Sequence, residues 1–171
     1  MNQKVFGFAG WSGSGKTTLI ERVIAHLAGR GLRVSLIKHA HHEFDVDQPG
    51  KDSWRHRAAG ASEVLVASAN RWALMHELRD EPELSLPQAV AQFNPCDLVL
   101  VEGYKRESIP KIEVWRAQLS KPLLFPQDPN ILALASDDLL PAALQEPSLA
   151  RFGLAQVAEI AEFALHHCRA V

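Results

Sequence analysis

The chain has 171 residues and a formal net charge of -2, with 18 basic and 20 acidic side chains. This length predicts one domain, 1–171, large enough to fold without disulfides or structural metals. The balanced charge gives no electrostatic reason to expect nucleic acid or an anionic membrane as a partner. Two cysteines exclude a disulfide framework, and neither a signal peptide nor a membrane-length apolar run is visible, so we expect a cytoplasmic protein.

An apolar stretch at 5–9 leads into the motif G-x-x-x-x-G-K-[ST], the pattern of a phosphate-binding loop. Glycines let successive backbone N–H groups face one anion, and the following helix adds its positive dipole end. We expect Lys16 to reach the β- and γ-phosphates of a nucleotide and Thr17 to hold Mg²⁺. Trp11 occupies a variable position of the loop, where its neighbour could be a base or a second subunit. The predicted nucleotide-binding loop comprises Gly10, Trp11, Ser12, Gly13, Ser14, Gly15, Lys16, Thr17 and Thr18.

Helical spacing of apolar residues after the loop predicts a helix, and this helix ends near Gly29 and Gly31. A second strand is predicted at 33–38. A strand-helix-strand opening is typical of parallel sheets. The polar stretch 39–53 predicts an exposed functional loop, followed by a short basic helix at 52–59. Residues 64–66 and 72–75 are predicted to pair as a hairpin.

In the second half, Ser85 and Gln88 form a capping box that predicts a helix to about Phe93. The apolar run 98–101 predicts a buried strand, whereas the alternation at 111–116 predicts a half-exposed one. A proline-rich connector at 122–129, an apolar strand at 131–135 and an amphipathic helix at 154–165 complete the chain. The expected fold is a three-layer α/β P-loop NTPase-like domain, with a mainly parallel sheet, some antiparallel strands and flanking helices.

Glu102 ends the apolar strand 98–101, where a P-loop protein places the carboxylate that contacts Mg²⁺ directly or through water. Aspartate is more usual there, and the alternative is a glutamate in an ordinary strand-end turn. Gly103 would then allow the backbone to approach the phosphates.

Asp47 lies in the polar loop after the second strand, where P-loop proteins often place a segment that senses the γ-phosphate. It could orient water or ligate magnesium, and the alternative is a solvated loop charge. Lys16, Asp47 and Glu102 form the predicted catalytic set, and Thr17, Asp47 and Glu102 form the predicted metal set. No obvious Gln or Arg is placed by sequence to stabilise transition-state charge, so we expect slow hydrolysis.

Two further groups have open interpretations. The cluster His39, His41 and His42 could bind a transition metal, although strand-like alternation separates the last two, which favours a nucleotide-facing or interface role. A basic segment after Glu102 suits an anionic substrate or an exposed edge strand equally well. Its members are Lys105, Arg106, Lys111 and Arg116.

The base-reading residue is harder to predict, because the guanine-specific [NT]-K-x-D motif is absent. Asp137 follows the apolar strand 131–135, the natural position for a carboxylate that accepts hydrogen bonds from guanine N1–H and the 2-amino group. The alternative is a helix N-cap formed by Ser136 or Asp137.

Taken together, FAGWSGSGKTTL, LIKHAHHEFDVDQPGKDSWRHRAAGA, VASANRWALM, DLVLVEGYKRESIPKIEVWR and ILALASD resemble the molybdopterin-guanine dinucleotide biosynthesis protein B (MobB) family. The resemblance extends from the phosphate loop to about Asp137 and is more specific than the loop alone. It implies a dimeric GTP-binding protein with weak GTPase activity and Mg²⁺, which assists the guanylyltransferase MobA in attaching GMP to molybdopterin. Whether molybdopterin itself binds is left open.

The dimers implied by the resemblance make the hairpin at 64–76 and the strand at 111–116 candidates for an intersubunit sheet. Two other functions also fit a phosphate loop: a small-molecule kinase that closes its basic segment over an acceptor, and a metallochaperone GTPase that uses the histidine cluster.

Overall fold

The computed structural model describes residues 2–40, 44–104, 107–140 and 148–171. Contacts within the chain divide it into two compact units, one made of Met1–His39 with Leu86–Val171 and the other of Ala40–Ser85. The histidines at 41 and 42 and the basic pair at 105 and 106 lie outside the described residues. One domain over 1–171 therefore stays a prediction, while each unit has a clear architecture of its own.

The larger unit contains most of the strands. They are β1 (Lys4–Ala9), β2 (Val34–Lys38), β5 (Leu98–Glu102), β6 (Lys111–Val114), β7 (Ile131–Ala135), β8 (Ala150–Phe152) and β9 (Arg169–Ala170). Its helices are α1 (Lys16–Gly29), α3 (Leu86–Val90) and α4 (Val157–His167). The smaller unit contains helix α2 (Asp52–Ala58) and the antiparallel hairpin of β3 (Glu63–Ala67) and β4 (Trp72–His76).

The sheet of the larger unit has the strand order β2-β5-β1-β6-β7-β8, and neighbours along this path are parallel. Only the short strand β9 is antiparallel among the described strands of this sheet, where it pairs with β1. Because parallel strands end at one edge, the segments after β1, β5, β6 and β7 lie on the same side of the unit. Ligands of open α/β sheets bind at this carboxyl edge.

Two apolar layers cover the sheet. Phe6 and Phe8 of β1 are fully buried on the face that packs against α1 and α4, and Val5 is buried on the opposite face with Leu86 of α3. Burial of each large apolar side chain contributes about 1.5–3 kcal/mol. The predicted three-layer α/β fold with a mainly parallel sheet is confirmed. No helix among the described residues is long and apolar enough to cross a membrane.

Strand β6 differs from its prediction as a half-exposed strand, because all four of its residues are buried. It pairs with β1 on one side and β7 on the other, so it has no open edge. The interpretation of 111–116 as an edge strand or as part of an intersubunit sheet is therefore wrong. The buried Lys111 ammonium donates to Asp128 Oδ2 at 2.6 Å, which explains how a charged side chain fits there.

Helix α3 also differs, since it ends at Val90 instead of near Phe93. The N–H groups of Gln92 and Phe93 bond to the carbonyls three residues earlier, as in a turn, and the side-chain amide of Gln3 donates to the backbone carbonyls of Val90 and Phe93. The short strands β8 and β9 were not predicted. Each is too short to produce a periodic pattern.

Candidate functional site

The loop between β1 and α1 has the backbone that a phosphate cradle requires. Gly10 has φ 140°, and a Cβ at this position would lie 2.3 Å from the carbonyl oxygen of Val114 in β6. Any side chain would separate β1 from β6 at the mouth of the loop. Gly15 immediately precedes α1, so the loop ends at the positive end of a 14-residue helix.

Lys16 and Trp11 fix the shape of this loop. The Lys16 ammonium donates to the carbonyl oxygens of Gly10 at 3.0 Å and Trp11 at 2.9 Å. The Trp11 indole N–H donates to the carbonyl of Pro122 at 2.7 Å, and the Lys121 ammonium lies 5.6 Å from the ring centre. The connector after β6 thus contacts one side of the loop. Trp11 as a nucleotide contact stays a prediction.

Glu102 and Thr17 meet beside the loop. Thr17 is the second residue of α1, and its hydroxyl donates to Oε1 of Glu102 at 3.1 Å, while the Lys38 ammonium lies 3.8 Å from Oε2. Strand β5 lies between β1 and β2, which brings the end of β5 beside the loop that follows β1. The two residues predicted to share a magnesium ion are therefore neighbours.

Gly103 has a structural reason that is separate from the predicted approach to phosphates, which stays a prediction. Its φ is 97°, and a Cβ here would lie 2.8 Å from the Cβ of His39. The backbone N–H of His39 donates to the carbonyl of Glu102, and its ring lies 4.6 Å from the ring of Tyr104. Close packing of the segments after β2 and β5 requires the glycine, whether or not a phosphate approaches it.

Asp47 lies in the smaller unit, where its carboxylate already has several partners. Oδ1 accepts hydrogen bonds from the Ser53 hydroxyl and the Gln48 backbone N–H, and Oδ2 accepts one from Arg57 at 3.4 Å. Arg57 also pairs with Asp45 and Glu77. These contacts order the loop before α2, and the predicted metal and catalytic roles of Asp47 stay predictions.

The ion pairs around Arg57 have electrostatic consequences. A hydrogen bond from Arg57 holds the pKa of Asp45 below its usual range, and the Asp47 backbone N–H lowers it further. Hydrogen bonds to Asp45 and Glu77 raise the pKa of Arg57. Both shifts keep the charged forms dominant throughout the physiological range.

Asp137 follows β7 and connects it to the end of β8. Its Oδ1 accepts the backbone N–H of Leu154 at 2.7 Å. The Ser136 hydroxyl accepts the N–H of Asp138, and the Asp138 carboxylate in turn accepts the N–H of Ala117 after β6. Three strand ends are therefore tied together beside Asp137. A helix capped by Ser136 or Asp137 would begin at 137 or 138; residues 137–140 form no helix, and 141–147 lie outside the described residues.

Two basic residues of the predicted substrate-binding segment have structural partners. Lys111 is buried with Asp128, so it does not face a substrate at the carboxyl edge. Arg116 instead lies against the phosphate loop, where its Nε donates to the carbonyl oxygen of Ser14 at 3.1 Å. Sequence reasoning missed this contact, because 102 residues separate the partners. The available signal was the position of Arg116 just after the strand that neighbours β1.

The residues of this edge fit a nucleotide phosphate with Mg²⁺. In the loop, a Cβ at Gly10 would collide with β6, Gly13 and Gly15 have positive φ, and a lysine and a helix start adjoin the loop. The hydroxyl of Thr17 and the carboxylate of Glu102 are hard oxygen ligands of the kind that Mg²⁺ prefers. The structure contains no group of three or more His, Cys, Asp or Glu side chains suited to a metal among its described residues.

Sheet order, glycine loop and strand-end carboxylate together define a nucleotide-binding domain of the P-loop NTPase-like class. Residues 5–137 match the model of the family described as "Molybdopterin guanine dinucleotide synthesis protein B". The chain belongs to this MobB family, as its motifs predicted.

Curated relatives extend the match to nearly the whole chain. A "Molybdopterin-guanine dinucleotide biosynthesis adapter protein" of Haemophilus influenzae is 44% identical, over 98% of this chain and 93% of that protein. The protein of the same name from Escherichia coli is 48% identical over 78% of each chain. Among solved structures, a crystal structure of "molybdopterin-guanine biosynthesis protein B (mobB)" is 29% identical, has a TM-score of 0.72, and covers 95% of this chain and 98% of its own.

Proposed function

We propose that this chain binds GTP with Mg²⁺ and serves as an adapter in molybdopterin-guanine dinucleotide synthesis, where it assists the guanylyltransferase MobA. The observation that carries the nucleotide part is the contact between Thr17 and Glu102 beside the phosphate loop. The adapter part is supported by relatives that are named adapter proteins over nearly the full length of this chain.

In this proposal each part of the carboxyl edge has one task. The loop from Gly10 to Thr18 surrounds the phosphates with backbone N–H groups, and Lys16 turns its ammonium from the loop carbonyls to the β- and γ-phosphates. Thr17 and Glu102 hold Mg²⁺, which neutralises charge on the phosphate oxygens when bound. Asp137 reads guanine, since its carboxylate accepts from donors that adenine does not present in the same positions.

We expect GTP hydrolysis to be slow, with guanylyl transfer performed by the partner. The sequence places no obvious Gln or Arg for transition-state charge, and Arg116 beside the loop is bonded to the Ser14 carbonyl; the lack of such a group costs about 10³–10⁵ in rate. An adapter of this kind turns over slowly alone and changes its rate when MobA is added. A small-molecule kinase would consume nucleotide only with its acceptor. Molybdopterin as a second ligand remains part of this hypothesis.

A cytoplasmic homodimer belongs to the same proposal. On the hairpin, Leu65, Trp72 and Leu74 expose 61%, 64% and 49% of their surface, which is unusual for large apolar side chains on both strands. A second copy of the chain would remove this surface from water. Sedimentation of the purified protein tests this part, and a monomer at micromolar concentration would contradict it.

The first experiment is calorimetric titration with GTP and with ATP, each with Mg²⁺. Preference for GTP supports the proposal, whereas preference for ATP would make the kinase the better hypothesis. Asp137→Asn then tests the base contact. The amide oxygen can still accept from N1–H, but the amide NH₂ is a donor and pairs with the 2-carbonyl of xanthine, not with the 2-amino group of guanine. We expect this variant to lose GTP affinity and gain XTP affinity.

The matched control is Asp138→Asn, the neighbouring carboxylate, which binds the Ala117 N–H. Asp138→Asn should disturb the loop but should still bind GTP more tightly than XTP. An unchanged preference for GTP in Asp137→Asn would remove Asp137 from the base site and leave phosphate binding intact.

A further inference from the structure

Arg116 connects the central sheet to the phosphate loop. It follows β6 by two residues, and β6 runs parallel to β1, so both strands end at the same edge. Its Nε donates to the Ser14 carbonyl oxygen at 3.1 Å. Among the described residues, the other nitrogens of the guanidinium make no hydrogen bond, so this carbonyl is the contact that locates the group.

The contact sets the orientation of one loop peptide. The Ser14–Gly15 bond is trans, and in a trans peptide the carbonyl and the N–H point in opposite directions. A carbonyl held by Arg116 therefore turns the Gly15 N–H away from the guanidinium. Gly15 is the residue just before α1, where N–H groups of a phosphate loop point at the anion.

The Nε–Nη2 edge of the guanidinium also faces Gly15. Its Nε and Nη2 are each 3.4 Å from the position that a Cβ of Gly15 would occupy, and Gly15 has φ 95°. Arg116 is half-buried, which keeps its positive charge close to the loop and partly shielded from solvent. A planar guanidinium fits such a site better than the flexible ammonium of lysine.

We infer that Arg116 is a positioning residue for phosphate binding: by holding the Ser14 carbonyl, it directs the Gly15 N–H toward the phosphates of a bound nucleoside di- or triphosphate. The inference rests on the proposed nucleotide function and extends it to a residue outside the motif. A hydrogen bond to the peptide acts on GDP and GTP alike, since the Gly15 N–H belongs to the loop and does not depend on the γ-phosphate.

The test compares Arg116→Ala, Arg116→Lys and wild type by titration with Mg²⁺ and GDP or GTP. Loss of one charge-assisted hydrogen bond predicts about tenfold weaker binding of both nucleotides to Arg116→Ala. The affinity of Arg116→Lys should lie between those of wild type and Arg116→Ala. Millimolar guanidinium should restore part of the affinity of Arg116→Ala. The amide resonance of Gly15, followed by NMR without nucleotide, should shift in Arg116→Ala.

The matched control is Arg22→Ala, because Arg22 also donates to a backbone carbonyl, that of Leu154, in the same unit. It should lower thermal stability without a change in affinity beyond about twofold. Equal losses of affinity in the two variants would overturn the inference, and so would a loss confined to GTP, which would indicate a γ-phosphate contact. Absence of any nucleotide binding in wild type would instead refute the proposed function.

Discussion

Glu102 in the larger unit and Asp47 in the smaller one make a useful comparison, because their side chains are almost equally buried, with 10% and 9% exposure. Glu102 contacts a hydroxyl of the phosphate loop and lies at longer range from an exposed lysine. Asp47 accepts hydrogen bonds from a serine, a backbone N–H and an arginine. The two carboxylates differ in their partners, and not in their access to water.

The comparison shows how a carboxylate can be available for a ligand without being exposed. The partner of Glu102 is itself a potential metal ligand, so Mg²⁺ can join the pair without removing a fixed positive charge. To bind Mg²⁺, Asp47 would have to break its ion pair with Arg57, and the positive charge of Arg57 would then have one fewer carboxylate beside it. We therefore expect Glu102 to respond to Mg²⁺ and Asp47 to stabilise its own loop.

The largest effect should come from Lys16→Ala, which tests whether the edge that contains Glu102 is the nucleotide site at all. Lys16 makes two hydrogen bonds to loop carbonyls and packs outside the core, so the fold should survive. Loss of a charge-assisted contact to phosphate predicts at least about a 100-fold loss of GTP affinity. Calorimetric titration measures the affinity, and circular dichroism checks the fold.

Lys38→Ala is the control for Lys16→Ala. Lys38 is exposed and lies 3.8 Å from Glu102, a surface pair of the kind worth less than about 1 kcal/mol. Its effect on affinity should stay below about fivefold. Equal GTP affinity in wild type and Lys16→Ala would refute the phosphate site.

The next effect separates the two carboxylates directly. Glu102→Gln keeps a hydrogen-bond acceptor for Thr17 but removes the charge that attracts Mg²⁺. We therefore expect the Mg²⁺ concentration that gives half-maximal GTP binding to rise about tenfold. Asp47→Asn should change the same Mg²⁺ concentration by less than about twofold. Magnesium titrations at fixed GTP measure both. The opposite pattern, in which Asp47→Asn weakens Mg²⁺ binding and Glu102→Gln does not, would instead support Asp47 as the metal ligand.

Much of this site was predictable because its parts lie within short motifs. The loop from Gly10 to Thr18 and the strand that ends at Glu102 each produce a local pattern, and parallel strands bring their ends together. The position of Asp137 followed from the same rule. Whether Asp137 reads a base depends on chemistry that no pattern in this chain encodes.

The errors concentrate where partners are distant in sequence. Lys111 and Glu113 alternate with apolar residues, which is typical of an exposed strand, yet both are buried. Lys111 pairs with Asp128, and the Glu113 carboxylate accepts backbone N–H groups of Leu124 and Phe125. Burial raises the pKa of Glu113. No window of neighbouring residues contains these partners.

A smaller effect is expected from Arg57→Gln, which tests the structural side of the comparison. The change removes the cation shared by Asp45, Asp47 and Glu77, so the loop before α2 should lose order. Amide hydrogen exchange at 44–58 should accelerate, with GTP affinity unchanged. Arg55→Gln, from the same helix, is the control and should leave exchange as in wild type.

The smallest effect concerns the pH dependence of the hairpin. Hydrogen bonds to Glu63 and Glu81 raise the pKa of His76 above 6.5. A raised pKa means that the folded state binds the proton more tightly, so this stabilisation is fully present below pH 6.5 and disappears as pH rises through the folded pKa. His76→Gln should therefore accelerate exchange of the β3 and β4 amides at pH 5.5, and the difference from wild type should vanish at alkaline pH. His26→Gln, on α1, is the control, because it should produce no difference at any pH. If the difference in exchange between His76→Gln and wild type stays constant with pH, the ring stabilises the hairpin by packing alone, and protonation of His76 does not contribute.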